Sequence, residues 1–510
     1  FYDKTFNDKH TLGVTLLQSI QEDKRESVNV AMENLPADNL KYYDLGSGLV
    51  TNTIGSSMIK WNMASFMGRI NYNYLGRYLL TVSARYDGSS RLADGHKWVL
   101  FPSAALAWRI NEESFMSSTS GWLDNLKLRL GFGKTGNSAV DPYQTKGTLS
   151  LIRYPFDNGG TPTIGYAPNA MANSLLTWET TDQWNLGIDF GVLRGRINGT
   201  IDLYMQNTHD LLLKRQLPVV SGFPDVLSNV GKTRNKGIEV SINSMNINSK
   251  DFQWTTDLML SSNKEEIVEL YNGKNDDIGS KWFIGQPVNV HYDYRKVGIW
   301  QNTESDLAEM AKFAANGTEF APGDIKIQDV NGDYKITDAD KQILGNPRPK
   351  LIASMVNTFN YKGFDLSVFL YASFGAMLYN DIYAVEHCGR NGGVKVDYWT
   401  PNNPTNAYPR PSIDEERPIY ITSTYYEKAD FLRVKTMTLG YTLPKTLTNK
   451  FLVEKLRVYF TAQNPFIFTN YTGIDPEAAK VNSAGNPETN GSGFGTPSVS
   501  SWIFGINLTL

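Results

Sequence analysis

The chain has 510 residues and a net charge of −3, with 49 Lys and Arg against 52 Asp and Glu, so no overall basic field draws in nucleic acid. Cys388 is the only cysteine, which excludes an internal disulfide and a cysteine-built zinc site. Mean hydropathy is −0.35 and no apolar run reaches the length of a membrane helix, so a β-barrel, whose strands need only alternate, is the one spanning architecture left. The first residues, FYDKTFNDKH, carry neither a basic nor an apolar leader region, so the reading is of a mature chain or of one that begins mid-protein.

Taken in chain order, the sequence predicts about fifteen strands, near 1–7, 10–24, 58–74, 77–88, 99–111, 122–134, 178–192, 195–206, 233–247, 251–263, 350–361, 363–374, 431–443, 454–464 and 500–510. Their signature is strict alternation. Trp184, Leu186, Ile188, Phe190 and Val192 alternate with Gln183, Asn185 and Asp189, and Ile197, Ile201 and Leu203 alternate with Asn198, Thr200 and Asp202. The polar set Lys127, Arg129, Asp189, Asp202, Asp257, Asp365 and Arg457 is assigned to a wet lumen. Short turns at 75–77, 193–195, 249–250 and 362–363 alternate with long polar excursions near 25–54, 135–177, 207–232, 264–349, 375–428 and 465–499. That asymmetry describes an outer-membrane barrel with its short turns in the periplasm. Tyr72, Tyr74, Tyr78, Phe252, Trp254, Phe359, Tyr361 and Phe364 lie beside the short turns, where an aromatic girdle belongs. The fold class is therefore all-β: a transmembrane antiparallel barrel with long extracellular loops and a small helical insert. An odd number of antiparallel strands cannot close on itself, so the fifteen are expected to belong to a 22-stranded, plugged barrel. The alternative is a secreted β-sandwich that binds carbohydrate or mediates adhesion, stabilised by calcium.

One helix is predicted, Ser305 to Ala315, with Leu307, Met310 and Ala314 on one face. It sits in the 264–349 excursion, which is too long for a slack tether and reads as a folded lobe. The same lobe holds the strongest chemical motif, DVNGDYKITDAD. Asp329, Asn331, Asp333 and Asp340 occupy positions 1, 3, 5 and 12 of a calcium loop, Lys335 at position 7 offers its backbone carbonyl, and Ile336 pins the loop to a core. Tyr334 replaces the usual Gly, and Asp340 the usual bidentate Glu. A structural calcium ion is the expected cofactor, and the alternative is an Asp/Asn-rich turn capped by its own side chains.

Other motifs carry less. GFGKTG at 131–136 matches a dinucleotide fingerprint, but Pro142 follows where a helix should open. Glu386, His387 and Cys388 are consecutive, and adjacent residues rarely converge on one ion. GSGFG at 491–495 is not a nucleophile elbow. Glu265 and Glu266 read as a solvated strand end, and Tyr292, Tyr294, Trp300, Tyr425 and Tyr426 as packing in the loop lobes, with stacking on sugar rings or packing of peptide side chains as the alternative. No catalytic residues are assigned.

Several segments resemble the SusC/RagA-type TonB-dependent transporters of the Bacteroidetes outer membrane: YDGSSRL (86–92), FPSAALAWRI (101–110), WLDNLKLRLGFGKTGN (122–137), LTWETTDQWNLGIDF (176–190), NVGKTRNKGIEV (229–240), FDLSVFLYASFGAMLYN (364–380), ADFLRVKTMTLGYTLP (429–444) and LRVYFTAQNPFIFTNYTGIDPE (456–477). The resemblance covers nearly all of residues 1–510 and implies the C-terminal part of such a barrel, set in outer-membrane lipid. It further implies import of oligosaccharides or peptides, a SusD-like surface lipoprotein as a hinged lid, energy from TonB through an N-terminal plug region, and a dimer of transporter–lid pairs. Neither plug nor TonB box is found within these 510 residues.

Overall fold

The structure is a computed structural model describing residues 1–156, 163–380, 395–412, 417–451, 453–477 and 497–509. Fifteen strands form one continuous antiparallel sheet in sequence order. They are β1 (Tyr2–Phe6), β2 (His10–Glu33), β3 (Val50–Tyr74), β4 (Tyr78–Ser89), β5 (Trp98–Arg109), β6 (Leu123–Asn137), β7 (Glu179–Val192), β8 (Ile197–His209), β9 (Lys232–Asn248), β10 (Phe252–Glu269), β11 (Leu351–Tyr361), β12 (Phe364–Phe374), β13 (Phe431–Thr442), β14 (Lys455–Thr469) and β15 (Ser501–Thr509). Among the described residues β1 pairs only with β2 and β15 only with β14, leaving two open edges. GFGKTG lies inside β6 and forms no phosphate loop.

The alternation decides which face is which. On β7, Trp184, Leu186 and Ile188 are exposed, whereas Gly187 and Gly191 are buried and Asn185 and Asp189 half-buried. The same exposed apolar stripe crosses Leu130 on β6 and Leu203 on β8, which lie beside these residues in register. An uncovered apolar face on a single continuous sheet is what lipid solvates, and it sets aside the two-sheet sandwich, which would bury that face.

The short-turn end is built as expected. Tyr361 and Phe364 pair directly across Lys362 and Gly363, with φ of 46° and 93°. Positive φ at both central residues makes the turn type that matches strand twist, and Gly363 adopts it without steric cost. Around this end Tyr74 stacks on Tyr78, Tyr78 on Trp108 and Trp254 on Phe359, and Phe364 lies against Tyr441.

Two features differ from the sequence reading. Strand β2 continues to Glu33 and β3 starts at Val50, so residues 25–33 and 50–54 of the expected 25–54 loop form a paired ribbon. Pairing between β3 and β4 begins only at Met63, so Val50–Asn62 projects roughly 40 Å beyond the sheet at strand rise. Val28 and Ile54 on this arm are each 74% exposed. Period-2 alternation fails there because both faces meet water, while the backbone ladder persists. Strands β10 and β14 likewise run on to Glu269 and Thr469.

Close packing on the inner wall uses absent side chains. Tyr459 on β14 lies across Gly505 on β15, its direct partner, and a Cβ there would overlap the ring. Tyr204 covers Gly237 in the same way. Gly505→Ala is expected to lower unfolding stability by about 1–3 kcal/mol through overpacking, and Tyr459→Ala/Gly505→Ala to recover part of it. Denaturant titration in lipid vesicles reads both, and a neutral Gly505→Ala would show that the ring is free to move.

Candidate functional site

The inner wall carries charge in pairs. Arg129 Nε donates to Asp189 at 2.9 Å, and its two terminal nitrogens donate to both oxygens of Asp202 at 3.0 and 3.1 Å. Lys127 lies 3.5 Å from Asp189. Gly187 makes room for the guanidinium, since a Cβ there would overlap it. Arg457 donates to Asp365 at 2.9 Å, and Asp257 accepts from Asn243. All seven polar residues assigned to the lumen are thus placed on the inner face, and each is satisfied there. A wall of matched charges is wetted without a strong net sign.

Higher up, at the long-loop end, strand-connecting segments form two lobes. The larger has a core of Ile299, Trp300, Met310, Phe313, Ile325 and Ile327, joined by Trp399, Ile421 and Tyr425 from the 375–428 excursion. Trp300 and Tyr425 are completely or almost completely buried, so these aromatics pack the lobe. Its helix α1 (Glu304–Ala315) starts at Thr303, whose side chain accepts the Asp306 N–H. Met310 and Phe313 are its buried residues, and Leu307 is 44% exposed. The expected apolar face is therefore rotated toward Phe313, which packs on Trp300, Phe320 and Tyr334. Apart from one turn at Lys445–Thr448, α1 is the only α-helix among the described residues. Burial pushes the Lys296 ammonium in this lobe down to about 8, and its Nζ donates to the Ala407 carbonyl at 2.6 Å. Glu265 and Glu266 are ion-paired, with Arg348 and with Arg234 and Lys264.

The calcium-like loop hangs from this core. Asp329 accepts the N–H groups of Gly332 and Tyr334 at 2.7 and 2.8 Å, Asn331 that of Asp333 at 3.0 Å, and Asp333 that of Lys335 at 2.8 Å. These successive side-chain turns coil residues 329–335, so that the side chains at positions 1, 3 and 5 and Lys335 lie along a single short turn. Tyr334, at the position usually held by Gly, adopts φ of 57°. Its ring packs edge-on against Phe313, and the Lys312 ammonium lies 5.1 Å from its centroid, which offsets the backbone strain. Ile336 is buried in the lobe core, as the spacing predicts.

Asp340 closes the loop from the other end. It is fully buried, and its two oxygens accept the N–H groups of Val330 at 2.9 Å and Thr337 at 2.8 Å. Each oxygen keeps a second lone pair. Among the described residues no three His, Cys, Asp or Glu side chains converge at metal-holding distance. The donor set is nonetheless all hard oxygen, which suits calcium and no soft transition metal. Glu386, His387 and Cys388 lie outside the described residues.

The smaller lobe packs Leu92, Phe101, Val140, Leu176 and Trp178 together. Sequence reasoning missed one further cluster, at the top of β13. Arg433 donates to Asp475 at 2.5 Å and lies 3.1 Å from Glu477, which also pairs with Lys435. Both Arg433 and Asp475 side chains are about 95% buried. The charge at Arg433 was visible as an inward position on an alternating strand, but its partners lie forty residues on, in a loop without periodicity.

Residues 3–464 match the family described as TonB dependent receptor-like, beta-barrel. The chain belongs to that family. It is 32% identical over 526 residues to TonB-dependent receptor P3 of Formosa agariphila, covering 99% of this chain and 51% of that protein. It is 35% identical over 434 residues to TonB-dependent receptor SusC of Bacteroides thetaiotaomicron, covering 81% of this chain and 41% of the relative. The chain thus spans about half the length of the curated relatives it matches, or less. The solved RagAB peptide transporter superposes with a TM-score of 0.82 at 23% identity, over 99% of this chain and 54% of that one, and shows that the fold is shared. This TonB-dependent receptor barrel is an outer-membrane protein, and its uncovered apolar face is the lipid-facing wall.

Proposed function

We propose that the chain forms the C-terminal wall and extracellular loops of an importer that moves oligosaccharides or peptides across the outer membrane. The observation that carries this is the two-faced wall: apolar and bare outside, lined by matched charge and amide groups inside, and topped at one end by folded loop lobes. A SusD-like lipoprotein covers the mouth, and TonB acts through a plug formed by another part of the protein. The likeness to SusC supports the lid, and the matched inner wall suits a passage that does not hold its cargo by one sign of charge. The role read from this wall is transport, and no catalytic step is assigned to it. Deleting the full-length gene is expected to abolish accumulation of fluorescently labelled oligosaccharide or peptide pools, and deleting TonB to have the same effect. Unchanged uptake in either strain would remove the import reading, and so would failure of a SusD-like lipoprotein to copurify with the tagged transporter.

The loop at 329–340 is read as a structural calcium site held by Asp329, Asn331, Asp333, the Lys335 carbonyl and Asp340. A bound ion would offset the repulsion among three carboxylates and fix the end of the lobe against Ile336. Adding calcium to chelator-treated transporter is expected to raise the melting temperature of the wild type and leave Asp329→Ala unmoved. A shift of equal size in the two proteins would retire the site.

A further inference from the structure

At the extracellular rim β4 stops pairing with β3 at Met63, and the step left beside the projecting ribbon is a cavity of about 390 Å³. This is within the size range of small-ligand clefts. Its walls bring together segments far apart in sequence: Lys60 and Trp61 of β3, Asp94 and Lys97 of the 90–97 loop, and Tyr143 and Lys146 of the loop after β6. Three lysines and one aspartate are among its lining residues. Asp94 is 91% exposed and is tied to Lys97 at 2.5 Å, and Lys60 is 3.1 Å from Glu22 on the neighbouring strand. Among the described residues Lys146 makes no ion pair, and the nearby Asp94 feels its charge.

Tyr143 supplies a fixed aromatic wall. Its hydroxyl accepts the Lys60 N–H and donates to the Lys60 carbonyl, each at 3.2 Å, capping backbone groups that β4 leaves bare. Its backbone is held at φ of 73°, a strained value for a tyrosine, and the residue remains 46% exposed. The Arg91 guanidinium lies 3.8 Å from the centroid of the Trp61 ring, adding a further cation close to the step. A rigid exposed ring beside several ammonium groups combines a stacking platform with charge-assisted donors.

We propose that this step is a subsite for an anionic saccharide, in which Lys60, Lys97 and Lys146 take a carboxylate or sulfate group while the sugar ring lies on Tyr143. Asp94 is the built-in competitor: it holds Lys97 in the free protein and swings into solvent when the ligand anion arrives. This rests on the import reading, because a charged subsite at the rim has use only where glycans are captured for passage inward.

The test is calorimetric titration of the detergent-solubilised full-length transporter with tetragalacturonate, with a sulfated galactan tetrasaccharide and with neutral galactotetraose. At least one charged tetrasaccharide is expected to bind ten-fold or more tightly than the neutral one, with a preference that shrinks as salt is raised. Lys60→Gln/Lys97→Gln/Lys146→Gln should erase the preference, and Asp94→Asn should strengthen it several-fold, an opposite response that misfolding does not produce. Equal affinity for charged and neutral sugars, no binding of any of them, or a preference that survives the triple substitution would overturn the subsite. Charge-selective binding without TonB-dependent uptake would remove the import reading and leave the subsite standing. TonB-dependent uptake without charge selectivity would do the reverse.

Discussion

Arg433→Met should destabilise the protein by about 3–5 kcal/mol, because it leaves Asp475 buried without its cation. Arg433 is on the inward face of β13 and Asp475 is in the loop after β14, so the pair ties the barrel wall to a segment that folds down against it. The loop is held at more than one point. Asp475 also accepts the N–H groups of Glu477 at 2.9 Å and Ser498 at 3.0 Å, which fixes the chain as it returns toward β15. Removing the guanidinium leaves these weaker bonds to hold a desolvated carboxylate. Arg433→Met/Asp475→Leu is expected to recover most of the loss, since a pair of apolar groups replaces a buried pair of charges at little net cost. Denaturant unfolding of the intact barrel in vesicles measures both variants. A loss below about 1 kcal/mol for Arg433→Met would mean that water reaches Asp475 and that the contact is a surface one.

The same carboxylate carries a pH dependence of defined sign. Burial pushes the Asp475 carboxyl up, but the Ser498 and Glu477 N–H groups and Arg433 outweigh it and hold it below its ordinary value. A carboxyl depressed in the folded state contributes stability that is complete above the ordinary aspartate pKa of about 3.9 and is lost as pH falls through the lower folded value. Release of the 470–477 loop is therefore expected only in strongly acid solution.

Strand positions were readable because lipid and water on opposite faces impose a period of two, as Trp184 to Val192 show without interruption. The identity of the lumen residues followed from the same rule. Their partners did not, because Arg129 reaches Asp202 across an intervening strand, and alternation fixes a face and leaves the register open. The β2–β3 arm was read as loop for a related reason: where both faces are wet, composition carries no period although the hydrogen-bond ladder continues. In the loop lobes the calcium-like spacing survived as a local pattern of side-chain turns. The cavity at Lys60, Lys97 and Lys146 had no signal at all, since three segments meet there only after β3 outruns β4.

The second large effect concerns the outer face. Ile188 sits between Leu128 and Ile201 in register, 38% exposed among other exposed apolar residues, four positions from the short turn that follows Val192. At the rise of a tilted strand that depth is close to the bilayer midplane. Ile188→Arg should therefore cost about 2–4 kcal/mol, the penalty for a cation in hydrocarbon. Asn185→Arg, three residues away on the same strand but facing the lumen, should cost under about 1 kcal/mol, because water and the acidic groups of the inner wall receive the charge. Both arginines are placed on one strand with the same backbone pairing, so strand propensity cancels between them and only the solvent on each face differs. Refolding of the two variants into vesicles of matched thickness separates the terms. Equal cost at both positions would mean that the apolar face meets protein or water, and the membrane-spanning assignment of β6, β7 and β8 would fail with it.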